Sequence, residues 1–331
     1  MTDILGHTKV FDVLRKSATD RHTAQSYLFS GTEGIGKRLV AIEFACMLNC
    51  PSYSITDHLH CNICERIRKG NHPDVRIEIP IKGSVKIDRV RYLQSFLKYS
   101  PVEAPFRVII IDDAHLINRA AQNALLKTLE EPPAYSLLIL VTSRVSSLLP
   151  TVRSRLRKIM FSPLPRSVIA QELVRIKNLS LEEAQTTAGL SSGSLGRAIE
   201  LHSNNSIDLR RSVMDFFNSG SKFGVSGLLE LSAQVSVDQR KILDAIEMGM
   251  TWINDLMKLK LGAEESSVIN TDLIDILRYS AQHHSIDELL AIRDIMSDSM
   301  TLVDSDTNIN RNLISDVMFL KIRQEMTAKS Q

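Results

Sequence analysis

The stretch Tyr27–Lys37, YLFSGTEGIGK, admits few folds. A short apolar run gives way to a loop holding Gly31, Gly34 and Gly36, and then to a helix-favouring sequence from Lys37 to Leu48. The order strand, tight loop, helix is that of a phosphate-binding loop, and Gly31, Gly36 and Lys37 fit its G-x-x-x-x-G-K core. In such a loop, backbone N–H groups at a helix N-terminus surround phosphate oxygens, and the lysine reaches the β and γ phosphates. The motif closes with a Ser or Thr whose hydroxyl coordinates Mg²⁺. Here that position is Arg38, a permanent cation with no acceptor to offer a metal.

A second segment completes the pattern. Arg107–Asp112, RVIIID, is a continuous β-branched run of the kind found in a central parallel strand covered on both faces. It delivers Asp112, the expected metal-binding carboxylate, and Asp113, the expected water-activating one. The usual residue at position 113 is Glu. The side chain is one methylene shorter, and a misplacement of about an ångström can cost roughly a hundredfold in rate. The hydrolytic machinery is thus altered twice.

At 331 residues, two or three domains are expected. Strands are predicted at Tyr27–Ser30, Val75–Ile79, Arg107–Asp112, Ser136–Thr142 and Arg157–Phe161, alternating with helices at Lys9–Ser17, Lys37–Leu48, Asp88–Tyr99 and Asn118–Glu130. Alternation of this kind implies a parallel α/β sheet with helices on both faces. Residues 50–74 read as an irregular insert rich in Cys and His. After Pro163 the strands stop. Three short helices are expected over 164–205, the second opened by a Ser180/Glu183 capping box. The Ser/Asn-rich stretch His202–Ser206 reads as a joint. Beyond it the pattern is helical throughout, with Leu228–Val235, Gln239–Leu261, Leu273–His283, Ile286–Met300 and Leu313–Glu325 singled out.

A formal net charge of +2 does not mark a nucleic-acid binder. Arg66, Arg68, Lys69, Lys82, Lys86, Arg89 and Arg91 form a basic segment, but no aromatics interleave with them, so a solvated face is the simpler reading. Trp252 lies in an apolar helix and is expected in a core or an interface. The polar N-terminus and the lack of an 18-residue apolar run predict a cytoplasmic protein with no membrane span. All four cysteines, Cys46, Cys50, Cys61 and Cys64, fall close together, which in such a chain favours a metal site over disulfides.

The run Asn123–Pro133, NALLKTLEEPP, resembles the signature of bacterial DNA polymerase III clamp-loader subunits, and Thr151–Arg155, TVRSR, resembles their S-R-C motif with Leu156 in place of Cys. The resemblance covers essentially the whole chain. It is nearer to the delta-prime branch than to the ATP-hydrolysing gamma/tau branch, whose phosphate loop ends in Lys-Thr. It implies an AAA+ fold: a nucleotide-binding α/β domain at 1–163 with the insert at about 50–74, a helical lid at 164–205, and a helical collar for oligomerisation at 206–331. Arg155 then corresponds to an arginine finger supplied in trans to a neighbour's ATP site, Ser143 to a residue sensing the γ-phosphate, and Arg197 to the sensor arginine of the lid. Whether nucleotide binds at the altered loop stays open. The implied partners are gamma/tau and delta subunits in a hetero-pentamer, with the sliding clamp and primed DNA reached through the complex.

The resemblance also implies a structural zinc held in the insert. Cys61-x-x-Cys64 has zinc-knuckle spacing, and zinc takes four N or S ligands in a tetrahedron. Matched to the family's four ligands, this chain offers Cys50, His58, Cys61 and Cys64. His60 and Cys46 are rivals for the fourth place, and Cys46, one helical turn before Cys50, is more simply a buried apolar residue. The expectation is a stator without useful ATPase activity. The rivals are an active gamma/tau-like motor and a zinc-dependent DNA-binding module.

Overall fold

The computed structural model describes residues 5–19, 23–53, 61–80, 84–203, 206–219, 223–304 and 310–327. His58, His60 and Lys82 lie outside these. The chain divides into two compact units, residues 1–165 with 193–196, and residues 166–192 with 197–331. Among the described residues no helix is long and apolar enough to cross a membrane.

The first unit is built on a five-stranded sheet, all of whose pairs are parallel. The strands are β1 (Ser26–Ser30), β2 (Val75–Glu78), β3 (Arg107–Ile111), β4 (Ser136–Thr142) and β5 (Arg157–Met160), in the order β2-β3-β4-β1-β5. Its central strands are apolar on consecutive residues because both faces are covered. Tyr27, Phe29, Val108, Ile110, Ile139 and Val141 face α1 (Thr8–Thr19) and α2 (Lys37–Asn49). Their chain neighbours Leu28, Ile109, Ile111, Leu138 and Leu140 face α4 (Ile87–Lys98) and α5 (Arg119–Glu130). Each such side chain contributes about 1.5–3 kcal/mol on leaving water. Register fixes which ends meet. Leu28 lies opposite Leu140 of β4 and Lys158 of β5, and Ile111 opposite Leu140. The loops after β1, β3 and β4 therefore leave the same carboxyl edge, where ligands of such sheets bind.

The insert is not wholly irregular. It contains α3 (Asn62–Arg68), whose Cys64 and Ile67 are buried at helical spacing. A helix of seven residues offers barely two turns of periodicity, too few to register against the surrounding Cys and His. Glu43 of α2 anchors it, accepting from Arg68 Nε at 2.6 Å, Arg68 Nη2 at 2.9 Å and the Tyr53 hydroxyl at 3.2 Å. Next to it, the buried Asp74 carboxylate accepts the backbone N–H groups of Val102, Glu103 and Ala104 at 2.8, 2.9 and 3.1 Å. Burial pushes that carboxyl up, but these bonds and nearby Arg107 outweigh it and hold it below its ordinary value. The basic segment is spent locally. Arg66 pairs with Glu103 at 2.7 Å, Lys69 with Glu65 at 2.6 Å, and Arg89 grips Glu78 with two bonds.

The second unit is helical. It begins with α7 (Arg166–Lys177), α8 (Leu181–Leu190) and α9 (Leu195–Ser203), continues through α10 (Ser206–Ser219), α11 (Val225–Val235), α12 (Gln239–Lys260) and α13 (Ile274–His283), and ends with α14 (Ile286–Asp304) and α15 (Arg311–Thr327). The Ser180/Glu183 capping box forms in both directions at the start of α8. Helix α10 lies in the stretch expected to be helical throughout, though not among the segments singled out there, and Leu209, Val213, Phe216 and Phe217 are buried along one side of it. Phe216 packs edge-on against Phe217 and Phe319, and Trp252 is 1% exposed, a core residue of this unit. The connection after α12 is gripped from two sides. Asp255 accepts the N–H groups of Ile269 and Asn270, while Arg166 donates to the carbonyls of Val268 and Ile269.

Candidate nucleotide site and metal centre

The loop between β1 and α2 turns into the helix at Gly36, whose φ of 97° is left-handed and favours glycine. Four of its carbonyls already have donors. Lys37 Nζ donates to Gly31 O at 2.7 Å and Thr32 O at 2.6 Å, His7 Nε2 donates to Ile35 O at 2.8 Å, and Gly196 N–H donates to Gly34 O at 3.0 Å. A side chain at position 196 would place its Cβ 2.9 Å from that last oxygen, so the close approach requires glycine. Burial lowers the Lys37 ammonium below its ordinary value, opposed by the negative charges of Asp112, Asp113 and Glu33.

Arg38, one residue further into α2, reaches across the carboxyl edge of the sheet. Its Nη1 lies 3.3 Å from Asp112 Oδ2, although the two residues are 74 apart in the chain. Asp112 is largely covered, and burial and the adjacent Asp113 raise its carboxyl, opposed chiefly by Arg38. Asp113 sits in the left-handed region at φ 44°, and its N–H donates to Asp112 Oδ1 at 3.1 Å. Ser143 follows β4 directly, on the strand beside the one that carries Asp112. Gly31, Gly34, Gly36, Lys37, Asp112, Asp113 and Ser143 thus all belong to the loops at one sheet edge. His115 was missed in sequence. Its Nδ1 is buried without a hydrogen-bond partner, and burial lowers its basicity, against the pull of Asp113. A Mg²⁺ ion does not fit this donor set, because the position that should offer a hydroxyl holds a guanidinium already paired with the carboxylate.

Arg155 and Arg197 have other partners. Arg155 follows the short helix α6 (Pro150–Arg153) on the surface of the first unit, donating from Nη1 to Thr151 O at 2.8 Å and pairing with Glu130, the last residue of α5, at 2.7 Å. Arg197, in α9 of the second unit, is buried and donates to Asp244 and, at 3.1 Å, to Glu247, both on α12.

The cysteines separate into three and one. The sulfurs of Cys50, Cys61 and Cys64 all lie within 4.8 Å of one another, with Cys50 and Cys61 3.3 Å apart. Cys50 caps the end of α2 and Cys61 the start of α3, so two helix ends bring them together. Cys46 stands outside the trio, with its sulfur 3.9 Å from Cys64 O. Burial and the neighbouring thiols push Cys50 up to about 12, whereas the N–H of Cys64 pulls Cys61 below its ordinary value. A cation among the three would reverse the first effect and stabilise all three thiolates. The donor set suits a soft or borderline metal ion.

Comparison with known proteins adds the following. The family described as DNA polymerase III, delta subunit, matches residues 6–165, and that described as DNA polymerase III, delta subunit, C terminal, matches residues 205–324. DNA polymerase III subunit delta' of Pseudomonas aeruginosa PAO1 is 26% identical over 90% of this chain and 91% of its own. The Escherichia coli K12 delta' subunit is 29% identical over 80% of this chain and 78% of its own. The subunit tau/gamma of Haemophilus influenzae is 36% identical over 55% of this chain, which spans 27% of that protein's length.

Proposed function

We propose, from the premise that this chain belongs to the DNA polymerase III delta-subunit family, that it is a delta-prime-like stator of the clamp loader. It would join gamma/tau and delta subunits in a hetero-pentamer that loads the sliding clamp onto primed DNA. The α/β domain at 1–163 carries the altered loop, a lid spans 164–205 and a collar 206–331. The observation that carries the reading is the Arg38–Asp112 pair. A chain that hydrolysed ATP for a living would keep Asp112 free for a metal ion, and here a fixed cation takes it. Arg155, exposed on the first unit, is then the finger offered in trans.

A gamma/tau-like motor is the second reading, favoured by 36% identity to a tau/gamma subunit and by an intact Lys37. The two differ in turnover. The isolated chain is expected to show only background ATP hydrolysis, and in native lysate the protein is expected to co-purify stoichiometrically with gamma/tau and delta subunits. Turnover on the order of 1 s⁻¹, a usual enzyme rate, abolished by Lys37→Ala, would establish the motor instead.

The metal reading is a structural zinc held by Cys50, Cys61 and Cys64, with His58 as the fourth ligand and His60 as its rival. Support comes from the sulfur trio, since ligands about 2.3 Å from zinc on a tetrahedron stand at comparable mutual distances. Protein prepared without chelator should carry about one zinc per chain. Cys61→Ser or Cys64→Ser should release it and expose the insert to protease while the sheet stays folded. Elemental analysis finding no metal would end this reading, and retention by His58→Ala with loss by His60→Ala would move the fourth ligand.

A further inference from the structure

We infer that Arg38 is the resident cation of the phosphate loop, and that the loop takes the phosphates of a nucleoside polyphosphate without a divalent metal. This rests on reading the loop as a non-hydrolysing nucleotide site, and it goes further by giving Arg38 a positive role there.

The geometry is specific. The two protein groups that would hold a divalent ion in a phosphate-binding loop are the residue after the lysine and the carboxylate ending the neighbouring strand. In this chain those two groups are Arg38 and Asp112, and they are bonded to each other at 3.3 Å. The guanidinium is charged at every working pH and cannot step aside by losing a proton. A divalent ion approaching Asp112 would have to break this pair and then sit beside the charge it displaced. The Asp112 carboxylate is neutralised without it.

The rest of the loop keeps its means of holding phosphate. Lys37 is 7% exposed and spends two of its three N–H donors on Gly31 O and Thr32 O, which leaves one for a phosphate oxygen. Helix α2 runs for 13 residues and points its N-terminal N–H groups at the same space. Arg38, 45% exposed, presents its remaining donors to solvent at the loop and can contact the ligand as a fork rather than as a point charge.

The test is titration of the full-length, zinc-loaded protein with ATP, in buffer freed of Mg²⁺ and in buffer with millimolar Mg²⁺. The affinity should be the same in both. An improvement of about tenfold or more with Mg²⁺ would overturn the inference, as would no ATP binding under either condition. Neither result touches the stator reading, which stands or falls on turnover and assembly. Arg38→Thr supplies the missing hydroxyl and frees Asp112, so ATP binding should become Mg²⁺-dependent by about tenfold, and Mn²⁺ should give a bound-ion signal by magnetic resonance. The double variant Arg38→Thr with Asp112→Asn should lose that dependence again, with circular dichroism and zinc content as checks on folding. An Arg38→Thr protein that is folded, binds ATP and remains indifferent to Mg²⁺ would show that Arg38 does not exclude the metal.

Discussion

Arg155→Ala is expected to lower the DNA-stimulated ATPase rate of the reassembled clamp loader, with folding, zinc content and assembly unchanged. The side chain is held by Thr151 O, by the Ser154 hydroxyl at 3.4 Å and by Glu130, its ion-pair partner, with the two members of that pair substantially exposed at 37% and 51%. Exposed pairs of this kind are worth about 0–1 kcal/mol, so the guanidinium is released readily to a stronger anion such as a neighbour's γ-phosphate. Its removal costs this chain little stability. A finger acting in trans contributes roughly 10³–10⁵ in rate where it has been measured, so the neighbouring site should fall nearly silent. The total should drop by that site's share. Arg155→Lys should stay defective, because an ammonium lacks the planar fork that spans two phosphate oxygens. Unchanged steady-state rates in both variants, at matched subunit stoichiometry, would leave Arg155 a surface residue.

The largest loss of stability is expected from Asp244→Ala. Arg197 is buried in the second unit and Asp244 is 3% exposed, with Arg240 3.5 Å from the same carboxylate and Glu200 3.1 Å from Arg240. Burial disfavours the guanidinium's charge, yet the carboxylates of Asp244 and Glu247 raise Arg197 above its ordinary value. Deleting one partner of a buried pair costs up to about 3–5 kcal/mol, whereas apolar replacement of both is often neutral; Glu247, more exposed and 3.1 Å from Arg197, offsets part of the loss. Asp244→Ala should therefore shift the denaturant midpoint of the helical unit strongly, and Arg197→Met with Asp244→Leu should recover most of the loss. A cost below about 1 kcal/mol for the single change, the range of exposed pairs, would mean that packing and Glu247 hold α9 to α12 without Asp244. The same tie bears on Arg197 as a nucleotide sensor, since it would have to leave two carboxylates to serve as one.

The strands were legible because a parallel sheet covered on both faces writes itself as runs such as Val108–Ile111 and Leu137–Val141, with both faces buried along the chain. The glycine loop was legible because left-handed backbone at Gly36 restricts the residue type. Helix α3 was not, being too short to show a period, and the helical pattern beyond the His202–Ser206 joint did not give the bounds of α10. The partners of the arginines were not legible at all. Arg38 finds Asp112 at 74 residues' separation and Arg197 finds Asp244 at 47, and no local pattern encodes such distances. Among the cysteines, C-x-x-C spacing marked Cys61 and Cys64. Only the meeting of two helix ends sets Cys50 beside them, while Cys46 touches Cys64 and stays outside the trio.

The grip on residues 268–270 has a mechanical meaning. A connecting segment normally serves as a hinge because its peptide groups exchange one set of water contacts for another as the dihedrals turn. Between α12 and α13 that freedom is gone. The amides of Ile269 and Asn270 are taken by Asp255 of α12, and the carbonyls of Val268 and Ile269 by Arg166 of α7. Arg166 also donates to Gln185 O of α8, so the first two helices of the unit and its longest helix are bonded to one joint. Torque applied to α7 or α8 is expected to reach α12 through these bonds.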